Sequence, residues 1–254
     1  MTDRFDLKGR RVLVTGASSG LGEHFALMLA SAGARVVAAA RRVERLQALV
    51  ARIGETGGHA QALELDVADA ASVAAAFASL DETGGIDVVV NNAGVTVAKS
   101  ALKQTEADWD SVIDTNLKGA WLVATEAARR WVAAQRPGTI VNVASILGER
   151  VAGAVAPYAI SKAGVLQLTK ALALEFARHD IRVNALAPGY VSTDLNRDFL
   201  ASEAGQRLQS RVPQGRFSDP EDLDGALLLL ASDAGRSITG AVLAVDGGHL
   251  VSSL

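Results

Sequence analysis

The seven residues Gly16-Ala-Ser-Ser-Gly20-Leu-Gly22 constrain this chain more than any other stretch. They follow a β-branched-rich run, Val12-Leu-Val-Thr15, and open into a helical pattern with Phe25, Leu27, Met28 and Leu29 apolar, ending near Gly33. Spaced glycines let the backbone turn sharply and approach a ligand without a Cβ in the way. The new helix points its unpaired amides and positive dipole end at the same spot, which suits a pyrophosphate. A strand–helix turn that needs glycine for its geometry alone is the simpler alternative. A strand on one side and a helix on the other are the context that dinucleotide binding requires, so Gly16, Ser18, Ser19, Gly20, Leu21 and Gly22 are read as cofactor contacts.

The same strand–helix unit recurs along the chain. Val36–Ala40 reads as a strand and Val43–Glu55 as a helix. After Gly57-Gly58 comes strand Ala60–Leu65, then a helix over Ala70–Asp81, then strand Ile86–Val90 running into Asn91-Asn92-Ala93-Gly94. A long helical region spans Glu106–Ala134, followed by strand Thr139–Ala144 and a helix that starts at Pro157 and continues to about Arg178. Strand Ile181–Leu186 precedes Pro188-Gly189, and helix Pro220–Ala231 and strand Ala241–Val245 close the pattern. The strands are near-continuous apolar runs, as expected when helices cover both faces of a parallel sheet. This predicts an α/β, Rossmann-type doubly wound parallel sheet of about seven strands, with right-handed crossovers. No repeat or linker interrupts it, so residues 1–254 read as a single domain. Residues 190–217 have a mixed pattern, weakly helical near Phe199–Ser210, and read as a flexible flap over the site.

Composition excludes several functions. The net charge is −3 with no basic stripe, which argues against nucleic acid. Cysteine is absent, which removes disulfides, thiol nucleophiles and thiolate zinc sites. The N-terminus lacks the pattern of a signal peptide, and no apolar run approaches the ~20 residues of a membrane span, so the expected location is cytoplasmic. The four histidines are scattered, so no metal is expected; for His249 a surface role is favoured over an approach to the site from the C-terminal tail.

Two further features carry chemistry. Arg41 and Arg42 follow the second strand, where an NAD-selective fold usually places an acid for the ribose 2′-hydroxyl. Cations oppose the dipole at a helix start, whereas a 2′-phosphate would give two guanidiniums a purpose; NADP(H) is favoured and NAD(H) remains open. Tyr158 and Lys162 lie four residues apart, one turn apart on one helix face. A cation that close is expected to draw the phenol's pKa down toward the working range of an acid/base.

With the glycine loop, Asn91-Asn-Ala-Gly94, Ser145 and Tyr158-x-x-x-Lys162 in this order, the sequence resembles the short-chain dehydrogenase/reductase family. The likeness covers essentially the whole chain, including Thr15, Asp66, Pro188-Gly189 and Asp246-Gly247-Gly248. It is greatest to the compact members that include 3-oxoacyl carrier-protein reductases. The resemblance implies Tyr158 as acid/base, with Lys162 lowering its pKa and holding the nicotinamide ribose. It further implies Ser145 holding the substrate oxygen and Asn116 organising a water in a proton relay. It assigns Asp66 and Val67 to the adenine, Asn92, Ala93 and Gly94 to the cofactor, and the Pro188, Gly189, Val191 and Thr193 segment to the nicotinamide carboxamide. It also implies a homo-oligomer, a tetramer in most members. Pro157 before the tyrosine and Glu23-His24 after the loop depart from the usual pattern.

The expected reaction is hydride transfer between NADP(H) and a small-molecule carbonyl or secondary alcohol, as a ketone or 3-oxoacyl reductase or, alternatively, an NAD-dependent alcohol dehydrogenase. Val95, Val97, Ile146, Leu147, Tyr190, Leu195 and Phe199 are read as an apolar substrate pocket. A non-catalytic dinucleotide sensor would be expected to lack Tyr158 or Lys162, and both are present.

Overall fold

Val12 and Val14 face one side of a parallel sheet and Leu13 the other, and all three are buried because helices cover both sides. The computed structural model describes residues 4–193 and 197–252, apart from the side chains of Arg197 and Phe199. In chain order the first half is β1 (Arg11–Thr15), α1 (Gly20–Ser31), β2 (Arg35–Ala40), α2 (Val43–Glu55), β3 (His59–Glu64), α3 (Ala70–Glu82) and β4 (Val88–Asn91). The second half is α4 (Glu106–Ile113), α5 (Gly119–Ala133), β5 (Gly138–Val143), α6 (Ala156–Phe176), β6 (Ile181–Pro188), α7 (Arg197–Ala201), α8 (Glu203–Gln209), α9 (Asp224–Ala231) and β7 (Val242–Val245).

The seven strands form one parallel sheet in the order β3-β2-β1-β4-β5-β6-β7. Strand order reverses between β1 and β4, which pair directly, so a crevice opens beyond their carboxyl ends where doubly wound folds bind ligands. One face of the sheet packs against Phe25, Leu29, Leu46, Leu49, Leu227 and Leu230 of α1, α2 and α9. The other packs against Phe77, Leu80, Val123, Trp131 and Leu172 of α3, α5 and α6.

Three details differ from the sequence pattern. The helical region expected over Glu106–Ala134 is divided by a π-helical turn, Asp114–Lys118, which buries Asn116. Such turns insert one extra residue into the ladder and re-aim a side chain. Strand β3 is exposed along much of its length, because it forms the sheet edge and only one neighbour covers it. Finally, β6 runs on to Pro188, tolerated as the strand's last residue, where a missing N–H costs no internal pairing.

Helix starts are set locally. Thr105 and Asp108 form a capping box at α4, Asp69 caps α3 through the Ala71 amide, and Pro157 occupies the first turn of α6. Among the described residues, no helix is long and apolar enough to cross a membrane.

Candidate active site

The cofactor side is stitched together by Thr15, the last residue of β1. Its hydroxyl accepts from the Asn92 amide at 3.0 Å and the Ala93 amide at 3.1 Å, while Asn92 Nδ2 donates to the Thr15 carbonyl at 3.0 Å. The glycine loop therefore lies against Asn92-Ala93-Gly94. The closeness explains the glycines: a Cβ on Gly22 would sit 2.3 Å from the Gly16 carbonyl oxygen, and Gly16 itself has a φ of +68°. Thr15, quoted in the resemblance but not assigned to the site, is the residue that joins the two loops. Its position at the end of a buried strand, just before the first glycine, was the available signal.

The two arginines behave differently. Arg42 donates to Ser18 Oγ from Nε (3.1 Å) and Nη2 (2.8 Å), and from Nη2 to Ser19 Oγ at 2.8 Å. Ser19 precedes α1 yet makes no side-chain bond to the helix, so the first-turn amides of α1 are left for a ligand. Arg41 is mostly exposed, and its Nη1 lies 3.9 Å from Asp66 Oδ2. Asp66 caps its own turn through the Ala68 amide, and Val67 is buried against Gly119. Leu21, at the start of α1, packs against the core on the α1 side.

At the catalytic side, Ser145 follows β5, and Tyr158 and Lys162 project from α6. Lys162 is 4% exposed; its Nζ donates to the Val143 carbonyl at 2.8 Å and lies 5.5 Å from the centre of the Tyr158 ring. Gly94 stands over this pair, since a Cβ there would be 3.6 Å from Lys162 Nζ. Asn116 is clamped: Oδ1 accepts from the Val95 amide at 2.8 Å, and Nδ2 donates to the Val95 carbonyl (2.9 Å) and to Ser161 Oγ (3.0 Å). Ser161 Oγ in turn donates to the Tyr158 carbonyl at 2.7 Å. Both Nδ2 hydrogens and one Oδ1 lone pair of Asn116 are thus taken by protein groups, and the side chain fixes Val95 and α6.

The electrostatics correct one expectation. Burial pushes the Tyr158 phenol above its ordinary value; a hydrogen bond from Ser145 opposes this and the nearby Tyr190 adds to it. Lys162 does not pull the phenol down, because desolvation outweighs a cation 5.5 Å from the ring and already bonded to a carbonyl. Burial also lowers the lysine itself to about 8.

The substrate side rests on Tyr190, just beyond β6. Its ring centre is 6.1 Å from Phe217 and 5.8 Å from His249. Gly189 packs so closely on Asp246 that a Cβ would meet its Cα at 2.8 Å, which locks the Pro188-Gly189 turn to the end of β7. The two ends of the expected flap are tied together: Val191 bridges to Ser218, and Ser192 N donates to the Ser218 carbonyl. Thr193 is half-buried beside this bridge.

Of the residues read as an apolar pocket, Val95, Val97, Leu147 and Tyr190 are half-buried around the crevice. Ile146 is 2% exposed, so it supports the site from beneath and offers no wall to a substrate. Leu195 lies outside the described residues, as does the side chain of Phe199. The sequence reading favoured the wrong alternative for one group and missed another. His249, read as a surface residue, is 7% exposed, because a short helical turn, His249–Val251, folds it onto Tyr190. Arg150 reaches the same turn, donating from Nη1 to the His249 carbonyl and to Ser252 Oγ. Among the described residues no three His, Asp or Glu side chains converge as a metal set.

These elements define a nicotinamide-type oxidoreductase site at the switch point of a doubly wound sheet. A family model described as enoyl-(acyl carrier protein) reductase matches residues 16–249. The chain is 39% identical to the 3-oxoacyl-(acyl-carrier-protein) reductase FabG of Thermotoga maritima, over 96% of this chain and 99% of that one. It is 41% identical to 3beta-hydroxysteroid dehydrogenase 1 of Eggerthella lenta, over 96% and 94%. Among solved structures, a gluconate 5-dehydrogenase from Burkholderia cenocepacia, in complex with NADP and tartrate, superposes with a TM-score of 0.94 at 38% identity, covering 99% of each chain. The protein belongs to the short-chain dehydrogenase/reductase family and is an oxidoreductase.

Proposed function

We propose that this enzyme transfers hydride between NADP(H) and a ketone or the matching secondary alcohol, with Tyr158 as the acid/base. The observation that carries this reading is the Tyr158–Lys162–Ser145 group beside Gly94, at the crevice where the first-turn amides of α1 stand free. The residues present fit the cofactor. Gly16, Ser18, Ser19, Gly20, Leu21 and Gly22 would hold the pyrophosphate, and Arg41 and Arg42 a 2′-phosphate. Asp66 and Val67 would face the adenine, and Asn92, Ala93, Gly94, Lys162, Pro188, Gly189, Val191 and Thr193 the nicotinamide end. The relative solved with NADP supports the choice of NADP(H) over NAD(H). When bound, the dinucleotide supplies or accepts the hydride.

In the reducing direction the raised pKa of Tyr158 is an asset, since the phenol stays protonated and can donate to the developing alkoxide. Ser145 offers the second donor to the same oxygen. The Lys162 ammonium, held by the Val143 carbonyl, would hold the nicotinamide ribose, and the Ser145 hydrogen bond steadies the phenolate left behind. Asn116 keeps Val95 and α6 in register and would organise the relay water. Residues 190–217 would close over the bound substrate.

Tyr158→Phe tests the reading. Turnover of ketones with NADPH should fall by roughly a thousandfold while NADPH affinity, followed by fluorescence titration, changes little. A variant with near-wild-type turnover would remove Tyr158 from the mechanism.

Self-association is part of the proposal. Trp109 and Trp121 are 42% and 43% exposed on α4 and α5, and Ile160 and Leu174 are exposed on α6, more apolar surface than a solvated helix layer usually shows. Sedimentation should give a tetramer, and a monomer at micromolar concentration would refute this.

A further inference from the structure

The C-terminal side of the site carries charge that hydride transfer does not use. Arg150 is half-buried on the loop after Ser145, and both of its hydrogen bonds leave from Nη1. Its Nε–Nη2 edge is left over, with two parallel N–H groups in the geometry that fits a carboxylate. Among the described residues no acid pairs with it. Asp246, which acts on His249, already accepts from the Gly248 amide at 2.8 Å and the Leu250 amide at 2.6 Å. Burial disfavours protonation of His249, Arg150 and Arg211 add to this, and Asp246 opposes it, so two cations and one carboxylate share this corner. His249 Nδ1 is buried without a hydrogen-bond partner. A half-buried guanidinium lacking a counter-ion, beside an unsatisfied ring nitrogen, is an arrangement that an anionic ligand would stabilise.

The corner also adjoins the chemistry. The Tyr190 phenol acts electrostatically on Tyr158, the His249 ring lies tilted 5.8 Å from Tyr190, and Arg150 holds the His249 carbonyl. A chain of contacts through His249 and Tyr190 thus links Arg150 to the Tyr158 phenol. We propose that Arg150 is a specificity-determining residue that binds a substrate carboxylate through its Nε–Nη2 edge, so the enzyme acts on oxo-acids and hydroxy-acids. This rests on Tyr158 being the acid/base. It replaces the uniformly apolar pocket expected from sequence with one that is apolar at Val95, Val97 and Leu147 and cationic at the tail.

The test is a series of straight-chain oxo-acids, from 3-oxobutanoate to 6-oxoheptanoate, each paired with its methyl ester and assayed with NADPH. At the best chain length the acid should exceed its ester by about thirtyfold in kcat/KM, the range of a charged hydrogen-bonded pair. Arg150→Met should bring that ratio to near one, mostly through KM, and Arg150→Lys should recover part of it. Ser252→Ala removes a tail contact but no charge, so its ratio should stay high. If Arg150 only braced the tail, Arg150→Met would lower acid and ester together and leave the ratio intact, and the proposal would fall. It would fall equally if the wild-type enzyme preferred esters. Binding of the oxo-acids to the Tyr158→Phe–NADP⁺ complex, by calorimetry, separates the two readings. Acid binding that survives in this variant but vanishes with Arg150→Met supports the subsite even if Tyr158 proves not to be the acid. No acid binding in either overturns the subsite alone.

Discussion

The cofactor half and the substrate half of this site are built by different means. On the cofactor side, each group is placed by its own strand end. Thr15 closes β1, Arg41 and Arg42 follow β2, Asp66 follows β3 and Asn92 follows β4, and their contacts cross only between neighbouring strands. On the substrate side, the wall forms where distant segments meet. Tyr190 after β6, Phe217 beyond the two short helices, His249 in the tail and Arg150 on the loop after β5 come together through ring contacts and backbone acceptors. A parallel sheet fixes one end of every strand, so the first half is rigid by construction. The second half depends on loops, which is where one fold acquires its substrates.

Lys162 sits at the seam between the halves and should give the largest response when the distinction is broken. Its burial lowers its pKa to about 8, so at neutral pH it is a charged group held at a cost of roughly 3 kcal/mol. The sign follows from proton binding. Between pH 8 and 10.5 the unfolded chain binds more protons than the folded one. The penalty is therefore complete below pH 8 and is relieved as pH rises toward 10.5. Lys162→Met should remove the charge and cost the Val143 carbonyl its donor, worth about 1 kcal/mol, for a net rise in Tm of about 5 °C. The same variant should lose turnover by at least about a hundredfold. In the wild-type enzyme, kcat/KM should decline as pH rises through about 8, as the ammonium deprotonates. A less stable Lys162→Met protein that still turns over would show that the seam is structural and not functional.

The contrast between the halves also accounts for what the sequence made legible. The sheet, the glycine loop and the Tyr158–Lys162 pair follow from local patterns, since apolar runs, glycine spacing and a one-turn offset are written in consecutive residues, whereas Asn116 and Ser145 were legible only through the family resemblance. The direction of the Tyr158 pKa was missed for a physical reason. Helix spacing tells how near a lysine lies, but desolvation depends on everything packed around the phenol. The π-helical turn at Asp114–Lys118 has no composition signal of its own and is set by how Asn116 meets Val95 and Ser161. His249 looked like a stray surface histidine because its burial depends on Tyr190, 59 positions earlier, and Arg150 carried no motif at all.

The smallest expected effect lies within the cofactor half and asks whether anchoring matters there too. Adjacent in sequence, Arg41 and Arg42 were equivalent as partners for a 2′-phosphate, but the structure separates them. Arg42 is held by two serine hydroxyls, whereas Arg41 reaches only toward Asp66 across 3.9 Å of largely exposed space. A guanidinium already fixed in place loses less side-chain entropy on binding phosphate, while an exposed ion pair near 4 Å contributes little and is screened by salt. Arg42→Ala should therefore raise the Kd for NADPH about tenfold and Arg41→Ala about threefold, with NADH changed little by either, as read by fluorescence titration at two ionic strengths. The Arg41 effect should shrink at the higher salt and the Arg42 effect should largely persist. If the order were reversed, Arg42 would be a brace for Ser18 and Ser19, and the phosphate would be met by the looser residue. The cofactor half would then depend on a mobile side chain, as the substrate half depends on its loops.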